Sequence, residues 1–133
     1  MKFLLDTNIC IYIMKNKPAE VVQKFSSINF GEIGISSINL AELEYGVSKS
    51  KFPEKNLENL RKFILPLEIL EFGSRAASEY GKIRAKLESE GTPIGALDTL
   101  LAAHAKSEDL ILVTNNSKEF IRVGGLKTEN WIS

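Results

Sequence analysis

The 133-residue sequence has one cysteine, one histidine, one tryptophan and no excess of either charge. Each scarcity excludes something. With Cys10 alone there is no disulfide framework and no thiolate metal centre, and a small buried hydrophobe is its ordinary role. With His104 alone, the soft or imidazole-rich ligand sets that zinc and copper prefer are not available. His104 also falls on the apolar side of its helix, where a packed core histidine is the ordinary reading. Lysine plus arginine equals aspartate plus glutamate at 17 each, so a polyanionic partner would have to be gripped by a local patch. No apolar run approaches a membrane span, and Asp6 interrupts the opening run before it could serve as a signal segment, so a cytoplasmic location is expected. The aromatic residues offer no evident stacking platform. What remains, 44% hydrophobic and 26% charged, fits one globular domain over residues 1–133.

The chain is organised around Lys2-Phe3-Leu4-Leu5-Asp6-Thr7-Asn8, an apolar strand that stops abruptly in an acid, a hydroxyl and an amide. Ile9 to Met14 reads as a buried helix started by Thr7 or Asn8, and Pro18 opens a second helix with Val21, Val22 and Phe25 inward. Gly31 to Ser37 reads as a second strand. The spacing of Leu40, Leu43 and Val47 predicts a helix to Ser48 with Glu42 in its first turn, and Pro53 starts another that stops before Pro66. These two form a helical hairpin over about 38–64. Leu67 to Phe72 is a short third strand. Ser74 is placed to cap a long helix with Ala76, Tyr80, Ile83 and Leu87 on one face, and Gly91-Thr92-Pro93-Ile94-Gly95 breaks it. The next helix, Ala96 to Lys106, puts Leu97, Leu101, His104 and Ala105 on one face and Asp98 in its opening turn. Leu110 to Thr114 is the most strand-like run, ended by Asn115-Asn116, and Leu126 to Thr128 adds an edge strand before Trp131. Strands alternating with helices predict a three-layer α/β/α sandwich around a central parallel sheet.

Asp6, Glu42, Asp98 and the Asn116/Glu119 pair all fall at strand ends or at the starts of helices, which share one edge of such a sheet. Each has a plainer reading. Asp6 could end a strand and cap a helix, Asp98 could complement a helix dipole, and Asn39 to Glu42 and Asn116 to Glu119 both resemble capping boxes. Together the acids read as a pocket. Crowded carboxylates raise one another's pKa unless a cation sits among them, and oxygen ligands imply magnesium or manganese. A carboxylate-held divalent ion activates water and neutralises the charge developing on a phosphate, which is the chemistry of phosphodiester hydrolysis.

Leu5-Asp6-Thr7-Asn8, Ala41-Glu42-Leu43 with Gly46, Gly91-Thr92-Pro93-Ile94-Gly95 followed by Asp98 and Ala102-Ala103-His104-Ala105, and Val113-Thr114-Asn115-Asn116 with Glu119-Phe120 together resemble VapC-type PIN-domain toxins, nearly end to end. The resemblance implies a PIN-like fold and a magnesium-dependent endoribonuclease, the toxin of a toxin–antitoxin pair. It makes Asp6, Glu42 and Asp98 the acidic metal ligands and Glu119 a further catalytic acid, with Thr7, Asn8, Thr114 and Asn116 as supporting polar groups. Many PIN nucleases carry an aspartate where this chain has Asn116, so a fourth acid is either absent or supplied by Glu119. The resemblance also implies a homodimer and a small VapB-like antitoxin whose tail lies over the active-site groove. The Gly-Thr-Pro-Ile-Gly and Asn-Asn segments most resemble enteric members that cut initiator tRNA in its anticodon loop, which implies a tRNA substrate.

An RNA substrate needs positive charge. Arg75, Lys82 and Lys86 would line one side of the long helix, and Lys49, Lys51, Lys55, Arg61 and Lys62 crowd the hairpin, where a solvated charged face is the competing explanation. Other classes also gather acids and magnesium at a sheet edge. A phosphorelay receiver needs an aspartate ending its central third strand, where this chain has Leu70-Glu71-Phe72. A haloacid-dehalogenase-type phosphatase needs a second aspartate where this chain has Asn8, and a non-catalytic binding module would leave the acids unused.

Overall fold

The computed structural model describes residues 1–132. Its first strand, β1 (Phe3–Leu5), is buried on both sides, as a near-continuous apolar run in the middle of a parallel sheet must be. β2 (Ile33–Ser36), β3 (Glu68–Leu70), β4 (Ile111–Val113) and β5 (Lys127–Glu129) complete an all-parallel sheet in the order β3-β2-β1-β4-β5. Phe3 pairs with Ile33 on one side and Ile111 on the other.

Alternation along the strands sends side chains to two cores. Phe3, Leu5, Ile33 and Ile35 face α1 (Thr7–Met14), α2 (Ala19–Ser26), α3 (Ser37–Ser48) and α4 (Pro53–Ile64); Leu4 and Leu112 face α5 (Ser74–Ser89), α6 (Ala96–Ser107) and the short α7 (Ser117–Phe120). The result is the expected three-layer α/β/α sandwich, with α3 and α4 forming the hairpin. β1 to β3 advance in one direction with helices on one face, and the chain then crosses β1 to place β4 and β5 on its other side. The order therefore reverses between β1 and β4, and in open parallel sheets a crevice opens beyond the strand ends at that point. Because β3 lies at the edge, no third strand runs through the centre as a receiver would require. Trp131 packs edge-on against Phe3, ring centroids 5.6 Å apart, and fastens the chain end to the core. Among the described residues no helix is long and apolar enough to cross a membrane.

Several boundaries differ from the sequence reading for local reasons. α1 is capped by Asp6, whose Oδ1 accepts from the Ile9 N–H at 2.9 Å, so the helix begins one turn before Cys10 and neither Thr7 nor Asn8 is its cap. α3 begins at Ser37, not Leu40, because Ser36 and Asn39 form the capping box: Ser36 Oγ accepts from the Ile38 N–H, and Asn39 Oδ1 accepts from the Ser36 N–H. This moves Glu42 into the second turn and leaves it no part in the cap. α5 is entered through an extended Gly73, and Ser74 makes no capping bond; the preceding Phe72 N–H is taken by Ser37 Oγ. On α6 Leu97 is 44% exposed, while Leu101, His104 and Ala105 are buried as the spacing predicts.

Candidate functional site

The crevice at the β1/β4 switch is where the acids meet. The Asp6 N–H donates to the Val113 carbonyl at 3.0 Å, keeping the two strands paired to their last residues. The Asp6 side chain is 6% exposed and accepts the Ile9 backbone N–H at 2.9 Å, with the Asn8 N–H and the Thr114 hydroxyl close enough to lower its pKa. Asp6 is thus both a helix cap and a buried acid; the two readings do not compete. Burial pushes its carboxyl up from the usual range, the hydrogen bonds from Thr114 and Ile9 hold it down, and the negative Glu42 pushes it up again. Thr114 is itself positioned, because its Oγ1 accepts the Asn116 N–H at 3.0 Å. The Asn8 side chain is exposed at the rim.

Glu42 reaches the cluster from α3 and accepts the Thr7 hydroxyl at 2.7 Å. Asp98 projects from the first turn of α6. Its carboxyl is pushed up to about 6, first by burial, then by the charge of and a hydrogen bond with Glu119, then by the charges of Asp6 and Glu42. A helix N-terminus favours an anion, so burial and the crowding of the other acids together outweigh the dipole here. Glu119 comes from α7. Its Oε1 accepts the Gly95 N–H at 2.9 Å and its Oε2 accepts from the Asn116 side-chain amide. The expected capping box therefore does not form: the Asn116 N–H goes to Thr114, and Glu119 is turned towards Asp98 and the loop before α6. Gly95 completes this corner, and sequence reasoning missed it. A Cβ there would stand 3.6 Å from Asp98 Oδ2 and 3.8 Å from Glu119 Oε1, filling space between the two carboxylates.

Four carboxylates from four segments of chain thus influence one another across one crevice. Among the described residues no three histidine, cysteine, aspartate or glutamate side chains close on a common point tightly enough to clasp an ion; each acid is turned instead to the partner named above. The donor set nevertheless suits a hard divalent cation, being oxygen only and crowded, with Asp6 and Asp98 raised in pKa by burial and by the neighbouring negative charges and the cradle beside Gly95 left open. His104 takes no part in the crevice: it is buried against Phe72 with its Nδ1 2.8 Å from Ser36 Oγ. Burial lowers its pKa against the opposing pull of Glu108 and Glu71. Cys10 is buried, and desolvation, followed by the Asp6 charge, raises its thiol well above the ordinary range, consistent with an inert core residue.

The predicted basic residues separate. The Arg75 guanidinium donates to the Ser107 carbonyl at 2.7 Å, at the far end of α6 from Asp98. Lys82 and Lys86 instead rim a groove of about 210 Å³ together with Lys106, Arg122 and one acid, Glu79. Among the described residues none of those four cations is in an ion pair; Lys106 and Arg122 donate to the neutral carbonyls of Gly124 and Pro93. A second groove, of about 490 Å³, opens between α1, α3 and α4, and its lining includes Ile11, Met14, Leu43, Val47 and Leu60 with Thr7 and Glu42.

Comparison with known proteins agrees with this architecture. The model of the PIN domain family matches residues 3–126. A tRNA(fMet)-specific endonuclease VapC of Shigella flexneri is 50% identical over 131 residues, covering 98% of both chains. Ribonuclease VapC2 of Haemophilus influenzae is 46% identical over 132 residues, covering 99% of both. In a solved structure of DNA-bound VapBC from Salmonella typhimurium, a chain 46% identical superposes with a TM-score of 0.93, covering 98% of each chain. With strand order, acid crevice and end-to-end similarity in agreement, the chain belongs to the PIN domain family, in its VapC branch.

Proposed function

We propose that this chain is the toxin of a toxin–antitoxin pair, a cytoplasmic endoribonuclease that depends on magnesium, or manganese in its place, and cuts tRNA. The observation that carries the reading is the convergence of Asp6, Glu42, Asp98 and Glu119 at the sheet's switch point, with Asp98 pushed up to about 6 by burial and by its acidic neighbours. Asp6, Glu42 and Asp98 would hold the ion, which when bound supplies charge neutralisation at phosphorus and an acidified water. The chain's own groups do the rest. Thr114 and the Ile9 N–H fix the Asp6 carboxylate, and Thr7 fixes that of Glu42. Glu119, steadied by the Gly95 N–H and adjacent to Asp98, would take the proton that water loses as it attacks phosphorus. The leaving ribose oxygen is protonated from solvent at this open edge. Lys82 and Lys86, with Lys106 and Arg122, give the phosphate backbone a track on an otherwise neutral molecule.

Support for tRNA as the substrate class is the Shigella flexneri relative at 50% identity, which is named for tRNA(fMet). Support for a VapB-like antitoxin is the VapBC complex to which the fold conforms; the apolar groove beside Glu42 would take one of its side chains and bring its tail over the acids. The chain and its partner would assemble on a toxin homodimer. The test is cleavage of purified initiator tRNA by the purified chain with magnesium, with EDTA, and with Asp98→Asn. Cutting that requires magnesium and disappears in Asp98→Asn is expected; cutting that survives in EDTA or in that variant would overturn the reading.

A further inference from the structure

The anchors of the acids do not end at their immediate partners. His104 lies on α6 six residues beyond Asp98 and is 1% exposed. Its Nδ1 is 2.8 Å from the Ser36 hydroxyl, its only polar tie, since Nε2 has no hydrogen-bond partner among the described residues. Ser36 ends β2 and caps α3, and its N–H donates to Asn39 Oδ1 at 2.9 Å. Asn39 is fully buried. Because Ser36 claims its oxygen, its amide nitrogen must point the other way, and there it donates to Thr7 Oγ1 at 3.1 Å. A hydroxyl has one hydrogen. With the Asn39 N–H directed at its oxygen, Thr7 gives that hydrogen to Glu42 Oε1 at 2.7 Å. From the Ser36 N–H through Asn39 and Thr7 to Glu42, each direction is thus dictated by the bond before it.

We propose that Asn39 is a positioning residue for the ribonuclease site: through Thr7 it fixes the orientation of the Glu42 carboxylate, and through Ser36 and His104 it registers α3 against α6, the helix that carries Asp98. The inference rests on the reading of Glu42 and Asp98 as metal-holding acids. A helix cap alone would need only the oxygen of Asn39. Its nitrogen contributes nothing to the cap and is spent on Thr7, which is the feature a purely local role leaves unexplained. Buried polar chains of this kind specify a single arrangement when every member is satisfied, and outer partners of metal ligands typically matter by roughly 10–100-fold in metal affinity.

The test is a double-mutant cycle read by calorimetric titration with manganese alone, with tRNA cleavage alongside. Asn39→Ala in the wild-type chain is expected to weaken manganese roughly 10–100-fold and to lower kcat more than it raises KM. In a Glu42→Gln background the same change should cost at least several-fold less, because the route through Thr7 has gone and only the register with α6 remains. An equal loss in both backgrounds would overturn the proposal, as that is the behaviour of a general structural defect. Thr7→Val removes the last link without touching the α3 cap, so it carries the same cycle if Asn39→Ala fails to fold. Should Glu42→Gln itself leave manganese binding unchanged, the reading of the site falls and the relay with it; should Glu42→Gln weaken manganese while Asn39→Ala and Thr7→Val do not, the relay alone falls.

Discussion

The two halves of the acid cluster are mounted differently. Asp6 and Glu42 are held from below, by a buried Thr114, by backbone N–H groups of α1, and by Thr7 with the buried Asn39 behind it. Asp98 and Glu119 are held at the rim, against each other, against the Gly95 N–H and against the exposed Asn116 amide. Hydrogen bonds among buried groups are strong and costly to leave unmade, whereas exposed ones exchange readily with water. The first half is therefore a fixed reference, and the second is the one free to adjust.

That contrast can be broken most severely at its centre. Asp6→Ala and Asp98→Asn each remove an acid that both halves feel, and tRNA cleavage should fall to background in both while circular dichroism shows an intact fold. Substantial turnover by either variant would dissolve the cluster as a functional unit. Next in size is Gly95→Ala. The backbone at Gly95 is extended with φ −55°, so no strain is expected, and the added methyl meets only the two carboxylates at ordinary contact distances. Cleavage should drop roughly 10–100-fold, as for a disturbed ligand surround, with the melting temperature little changed; a matching fall in both would mean that the cradle was structural.

Glu119→Gln tests the adjustable half directly. The glutamine carbonyl can still accept from Gly95, but the negative charge and the proton acceptor are gone, so cleavage at saturating magnesium should fall and the magnesium concentration for half-maximal cleavage should rise by about tenfold. Asn116→Asp should restore part of it if both groups address the same ion. A titration curve that overlays the wild type would leave Glu119 a structural tether. The smallest effect is on stability. Because the folded pKa of Asp98, about 6, lies above its ordinary 3.8, the folded state holds the extra proton between those values, and stability falls as pH rises through that window. Asp98→Asn should accordingly stabilise the metal-free protein at pH 7, by about 1 kcal/mol once solvent screening is allowed for. The gain should vanish below about pH 4, where the carboxyl is protonated in both states. Thermal melts across that range that show no difference would mean the rim acids do not crowd as described.

Asp6, Asp98 and the two strands behind the crevice were legible in the sequence because each is a buried apolar run or helix start broken by a polar residue, and local pattern carries that signal. Glu42 was legible as an acid of the site but misplaced by a turn, since Ser36-Ser37 reads equally as a strand end or a helix start until the Ser36–Asn39 box is seen. The same ambiguity hid Asn39, whose one visible signal is an amide near a helix start, which caps explain well. Gly95 and Glu119 are 24 residues apart and meet only through the fold. Lys106 and Arg122 join Lys82 and Lys86 for the same reason: a groove between elements has no period along the chain.

The central strand also sets a timetable. β1 precedes every other strand in the chain, yet its β4 neighbour begins only at Ile111, and the Thr114 hydroxyl and the α7 acid that address Asp6 and Asp98 come later still. Pairing across so long a separation must wait for the intervening chain, and such non-local closure is slow. On a ribosome, where the chain emerges in order at roughly 5–20 residues per second, the crevice cannot close until Glu119 has emerged. A nascent chain thus carries Asp6 out of the ribosome well before Thr114 and Glu119 can gather around it.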